Sequence, residues 1–119
     1  MTTRTEEIYR LHATVCKALS DPKRLLILDL LRDGQRSVGD ICDLLDLPQA
    51  NVSQHLGVLR DKGLVSTRRD AQWVYYSLVS PKVTEALDLL LGVMKDAQAA
   101  GRESLRPIAG WTDARSVID

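Results

Sequence analysis

Apolar residues recur along this chain mostly at helical spacing. Ile8, Leu11, Val15 and Leu19 follow one another at steps of three and four, which lines one face of a helix. Cys16 stands beside that stripe, while Arg4, Glu6, Glu7 and Arg10 fall mostly off it. Ser20 or Asp21 then offers a helix cap, and Pro22 suits a first-turn position. From Lys23 to about Arg32 come Leu25, Leu26, Ile27, Leu28, Leu30 and Leu31, apolar nearly all round. Such a helix belongs at the centre of a fold, covered on several sides. Asp33-Gly34 ends it. Ser37 caps a short third helix with Asp40 three residues on, and Val38, Ile41, Leu44 and Leu45 form its apolar face. After a turn at Asp46-Leu47-Pro48, a fourth helix runs from Gln49 to about Lys62, with Val52, Leu56 and Leu59 facing inward. Gly63 stops it.

The period then changes. Leu64 to Thr67 and Trp73 to Leu78 are rich in β-branched and aromatic residues, with Arg68 to Gln72 as the turn between them. This reads as a two-stranded antiparallel hairpin. Ser80-Pro81 opens a last helix with Val83, Leu87, Leu90, Leu91 and Met94 at helical steps, running to about Ser104. Residues 107–119, with Gly110 and Trp111, have no clear period and read as a tail, either partly disordered or packed on a dimer, behind a single domain of residues 1–106.

The expected fold is therefore mainly α with a small β-hairpin, in the order α-α-α-α-β-β-α. Two helices joined by a tight turn, with a basic hairpin after the second, make a winged helix-turn-helix. An α-helix fits the major groove of B-DNA, and the second helix of such a motif presents its N-terminal half to base edges. Here that half is Gln49-Ala50-Asn51-Val52-Ser53-Gln54-His55, in which only Val52 needs burial. Gln and Asn side chains pair in bidentate fashion with adenine. The candidate DNA contacts are Gln49, Asn51, Ser53, Gln54, His55 and Arg60 on the helix, and Arg68, Arg69 and Gln72 on the hairpin. Arg68 and Arg69 are placed at the hairpin tip, within reach of a minor groove or phosphates. For His55 two roles stand open, base reader or helix-packing and phosphate-positioning residue.

Composition narrows the class further. The 119 residues contain no Phe, so the core is mainly aliphatic. No apolar run approaches the roughly 18 residues of a membrane span, and Met1 to Glu7 lacks a hydrophobic signal core, so a cytoplasmic protein is expected. Sixteen basic residues balance sixteen acidic ones, which speaks against a non-specific nucleic-acid coat. The balance is local: Ser37 to Leu47 holds Asp40, Asp43 and Asp46 with no basic residue, whereas the hairpin carries Arg68 and Arg69. The two cysteines, Cys16 and Cys42, are too few and too far apart in sequence for a disulfide scaffold or a Cys-x-x-Cys motif. No nucleophile–base pair, Gly-rich phosphate loop or metal triad points to an enzyme.

A family resemblance rests on three motifs. Cys16 to Leu25, CKALSDPKRL, resembles the "LaDptR" opening of ArsR/SmtB-type regulators. Asn51 to Arg60, NVSQHLGVLR, resembles their "vSqHLxxLr" recognition helix. Lys62-Gly63-Leu64-Val65 with Val74-Tyr75-Tyr76-Ser77-Leu78 resembles their "aGLV…vYYxL" wing. In this order they span about Val15 to Leu78, over half the chain. The resemblance implies a homodimer built on the first and last helices, a palindromic double-stranded operator, and repression relieved by an effector such as a metal or thiol-reactive species. Where the family often carries Gly-Arg at the wing tip, this chain has Asp70-Ala71-Gln72, which shifts weight onto Arg68 and Arg69. Relatives bind metals at a Cys-x-Cys pair in the third helix, matched here by Asp40 and Cys42. Others use His and acidic residues of the last helix, matched here by Ser80, Lys82, Val93 and Asp96, so no last-helix zinc site is expected.

The effector is left open: a metal, an oxidant or persulfide, a small organic molecule, or none. Cys42, on the helix that braces the recognition helix, is the first candidate and Cys16 the second. Both are also read as packing residues, because a free Cys behaves as a small hydrophobe. The acids around Cys42 point to a soft metal rather than an oxidant. A winged-helix module that docks proteins and no longer binds DNA is the alternative function.

Overall fold

The computed structural model describes residues 3–101. The expected end of the last helix near Ser104 and the tail from Pro107 lie outside the described residues. The order is α1 (Arg4–Ala18), α2 (Pro22–Leu30), a 3-10 turn (Leu31–Asp33), β1 (Arg36–Ser37), α3 (Val38–Leu45), α4 (Gln49–Asp61), β2 (Val65–Asp70), β3 (Trp73–Leu78) and α5 (Lys82–Ala99). Two compact units divide between Ser80 and Pro81. No helix among the described residues is long and apolar enough to cross a membrane.

In the first unit the helix boundaries follow from caps. Thr3 and Glu6 satisfy each other's backbone amides at the start of α1, at 3.1 and 2.9 Å. Asp21 rather than Ser20 caps α2, accepting from the amides of Lys23 and Arg24, and Pro22 takes the first turn. Ser37 Oγ accepts from the Asp40 amide to start α3. Asp46 ends α3 in a left-handed conformation, φ 53°, returning its N–H to Cys42 O and turning the chain toward α4. The core is aliphatic, as a chain without Phe requires: Ile27, Leu28, Leu31, Ile41, Val52, Leu56 and Leu59 are fully buried. They come from α2, the 3-10 turn, α3 and α4, so the recognition helix stands on the centre of the unit.

Ile8 and Leu11 of the first stripe are 59% and 68% exposed within one chain, and Tyr9 is exposed beside them, which leaves that face open to a second copy. Two expectations about burial change. Cys16 is exposed rather than packed in a core. Leu44, expected on the inner face of α3, is 53% exposed, because Ile41 alone fills the centre of that short helix.

The sheet has three strands rather than two, in the order β1-β3-β2. The two-residue β1 is too short to show a period; it pairs Arg36 with Tyr76 and Ser37 with Tyr75. The hairpin also reaches further than its composition suggests. Arg68, Arg69 and Asp70 are strand residues paired with Tyr75, Val74 and Trp73, leaving only Ala71-Gln72 as the turn. Arg68 and Arg69 therefore lie on a strand, below the tip and on opposite faces, since successive strand side chains alternate.

In the second unit, α5 follows Pro81, whose carbonyl accepts from Thr84 Oγ1 at 3.2 Å. Leu87, Leu91 and Met94 are half-buried, while Leu89, Leu90 and Val93 are exposed.

Candidate nucleic-acid interface

Side chains on α4 follow one another by about 100° around the axis. Val52, Leu56 and Leu59 form one fully buried line. Ala50 and Gln54 project opposite that line. Gln49, Ser53 and Arg60 occupy one flank, Asn51 and His55 the other. Gln49, Ala50, Asn51, Ser53, Gln54 and Arg60 are all exposed, and His55 is half-buried. The buried line anchors the helix, and a polar surface of amides and a hydroxyl faces away.

Of the candidates in the N-terminal half of α4, His55 alone has a side-chain partner among the described residues. Arg24 Nη1 lies 3.3 Å from His55 Nδ1. The same guanidinium donates through Nε to the carbonyl of Ala18, the last residue of α1, and sits 3.9 Å from Asp21. This cluster ties the end of α1, the start of α2 and the recognition helix together. Burial pushes the Asp21 carboxyl up, but the amides of Lys23 and Arg24 and the nearby Arg24 guanidinium outweigh it and hold the group below its usual range. Sequence reasoning did not single out Arg24. Its signal was a cation beside Lys23 at the head of an otherwise apolar helix, three residues after the cap.

On the wing, Arg68 is engaged three ways. Its guanidinium lies 4.8 Å from the Tyr75 ring centroid, 3.7 Å from Asp70, and its Nε donates to Gln35 Oε1 at 3.4 Å. Arg69, opposite Val74, has no ion pair or side-chain hydrogen bond among the described residues. Gln72 sits in the turn, and Trp73 next to it is 51% exposed. Arg60 is exposed and 3.7 Å from Asp61.

The cysteines are not brought into a ligand set. Cys42 is half-buried on α3 and Cys16 is exposed on α1. Among the described residues, no three or more His, Cys, Asp or Glu side chains gather to hold a metal. Asp40, Asp43 and Asp46 thus do not close a three-ligand cage with Cys42 within one chain, because the exposed acids point off the short α3 into solvent.

Residues 21–67, from the α2 cap to the middle of β2, match the model of the family described as "Bacterial regulatory protein, arsR family". The transcriptional activator HlyU of Vibrio cholerae is 46% identical over 62% of this chain and 68% of its own. The chain belongs to the arsR family. Another relative, the biofilm growth-associated repressor of Agrobacterium fabrum, is 38% identical over 68% of this chain and 69% of its own. Among solved structures, the homodimeric winged helix-turn-helix DNA-binding domain of Mb0332 from Mycobacterium bovis is 30% identical. It covers 87% of this chain and 94% of its own, with a TM-score of 0.72. This arsR-family member is a transcriptional regulator with a winged helix-turn-helix fold, in which α3 and α4 form the helix-turn-helix and β2–β3 the wing.

Proposed function

We propose that two copies of this chain bind a palindromic operator in the cytoplasm and repress transcription until an effector releases them. Each copy lays α4 in a major groove, with Gln54 and Ala50 toward base edges and Gln49, Asn51, Ser53, His55 and Arg60 toward its walls. Arg68, Arg69 and Gln72 on the wing meet the adjacent backbone or minor groove. The observation that carries this reading is the exposed, polar N-terminal half of α4 mounted on a fully buried Val52-Leu56-Leu59 line. A helix face that is polar, uncovered and rigidly backed suits direct readout. Pairing of two copies is supported by apolar side chains left exposed on α1 and on α5 and by the homodimeric M. bovis neighbour. The A. fabrum relative is named a repressor and the V. cholerae relative an activator, and the reading follows the former. Cys42 is the first candidate for an effector site and Cys16 the second; a metal there would need ligands beyond those one chain brings together.

The test is titration of the protein onto DNA from upstream of its own gene. The wild type should bind in preference to competitor DNA, with half-sites about 10 bp or a multiple apart. Gln54→Ala should lose part of that preference, by about 1–3 kcal/mol for a bidentate base contact, while keeping its melting temperature. Equal affinity for all DNA in the wild type, or unchanged preference in the variant, would overturn the assignment of α4.

A further inference from the structure

The bond between Arg24 and His55 constrains more than packing. A guanidinium has only donors, so in the 3.3 Å contact Arg24 Nη1 donates and His55 Nδ1 accepts. A neutral imidazole whose Nδ1 accepts carries its proton on Nε2. His55 Nε2 has no hydrogen-bond partner among the described residues, and the ring is only half-buried. The chain thus prepares a single N–H donor, with the ring's other nitrogen held, and leaves that donor unused.

We propose that Arg24 fixes His55 as an Nε2–H donor and that this N–H holds a DNA backbone phosphate on one flank of the recognition helix. The inference rests on the operator-binding reading and adds a contact and a positioning residue to it. Two observations favour a phosphate over a base. His55 lies on the flank of α4 with Asn51, next to the buried line, whereas Gln54 and Ala50 lie opposite that line. A helix seated in the major groove turns its outer line to base edges and its flanks to the backbone walls. The ring is also drawn back by Arg24, which is itself anchored on Ala18 O and near Asp21, so its reach is short and its direction fixed. Contacts of that kind set register on the duplex rather than read sequence. Arg24 acts through His55, and because it is anchored on the last residue of α1, the donor is registered to the end of that helix.

Two measurements test this on the full chain. The first needs no DNA. Long-range 1H–15N spectra of the imidazole distinguish its neutral tautomers; the wild type should show Nε2–H alone, and Arg24→Met should let a measurable fraction of the Nδ1–H form appear. The Nδ1–H form in the wild type, or a tautomer indifferent to Arg24→Met, overturns the proposal, even if the variant unfolds and only the wild type is read. The second uses the shortest upstream duplex that the wild type binds, and copies carrying one uncharged methylphosphonate at successive positions. His55→Phe keeps the ring and removes the donor. It should lose about tenfold in affinity on native DNA, as for a hydrogen bond to a charged group, with base preference unchanged. On the duplex neutralised at the contacted phosphate, that loss should disappear. A loss equal on every duplex, a change in base preference, or no loss at all overturns the contact. If the wild type binds no duplex, the operator reading itself falls and takes the contact with it. If the wild type binds and His55→Phe matches it, only this inference falls.

Discussion

The guanidinium of Arg68 stacks on the ring of Tyr75, its partner across the hairpin, 4.8 Å from the centroid. With Asp70 at 3.7 Å and Gln35 beyond, much of this cation's interaction is spent within the protein. Arg69 has no such partner. The neighbouring arginines therefore separate in function. Arg69→Ala should weaken binding to all DNA sequences alike and lower the salt slope by about one. Arg68→Ala should move the slope less and instead cost the hairpin about 0.5–1 kcal/mol from the lost cation–π contact. Affinity against salt concentration, with thermal melts of both variants, checks this; equal slopes in the two would show that Arg68 leaves Tyr75 to reach the DNA.

The wing turn carries a second consequence. Ala71 takes φ 55°, a left-handed conformation that costs an L-residue with a side chain roughly 1–2 kcal/mol. Glycine adopts it freely but loses more entropy on folding. Ala71→Gly should thus stabilise the protein by a net of about 0.5–1 kcal/mol, which for a small domain raises the melting temperature by about 2–8 °C. A drop in melting temperature would mean that the turn relaxes out of this conformation.

Asp21 gives a pH signature. Burial raises its carboxyl, but the amides of Lys23 and Arg24 and the Arg24 charge together outweigh that pull and hold it low. A group with a depressed folded pKa contributes stability that is complete above its unfolded value, about 3.9, and is lost as pH falls through the folded one. The stability gap between wild type and Asp21→Asn should be constant at neutral pH, begin to close near pH ~4 and shrink further below it. Denaturant titrations at stepped pH read it; a gap that widens on acidification would reverse the assigned sign.

How much of this was legible in the sequence follows from physical range. The helices were readable because steps of three and four repeat over whole turns, and the caps at Ser37 and Gly63 mark their ends. The exposed face of α4 was readable for the same reason, since polar residues surround Val52. The short β1 was not, because Arg36 and Ser37 are strand only through pairing with Tyr76 and Tyr75. Nor was the length of the hairpin: Arg68, Arg69 and Asp70 look like a loop by composition, yet Tyr75 and Trp73 across the ladder hold them as strand. Arg24 bonding His55, thirty-one residues away, leaves no local pattern at all.

The exposed apolar side chains carry the last prediction. Ile8 and Leu11 on α1 are more than half exposed, and on α5 so are Leu89, Leu90 and Val93, at 75%, 60% and 65%. Val83, Ala86, Leu90, Val93 and Ala97 follow steps of three and four along α5, and the C-cap Ala100 continues them. That is a seven-residue repeat of the kind that packs one helix along another. The half-buried Leu87, Leu91 and Met94 form a separate, neighbouring line. A small domain rarely leaves so long an apolar stripe in water, and a two-fold pair of copies would bury it on both at once. Light scattering at micromolar concentration should give twice 13.2 kDa. Leu90→Glu combined with Val93→Glu should shift the mass toward the monomer and weaken operator binding, because two linked half-sites become two independent encounters. A wild-type monomer that still binds a palindrome tightly would separate DNA recognition from pairing and overturn the dimer.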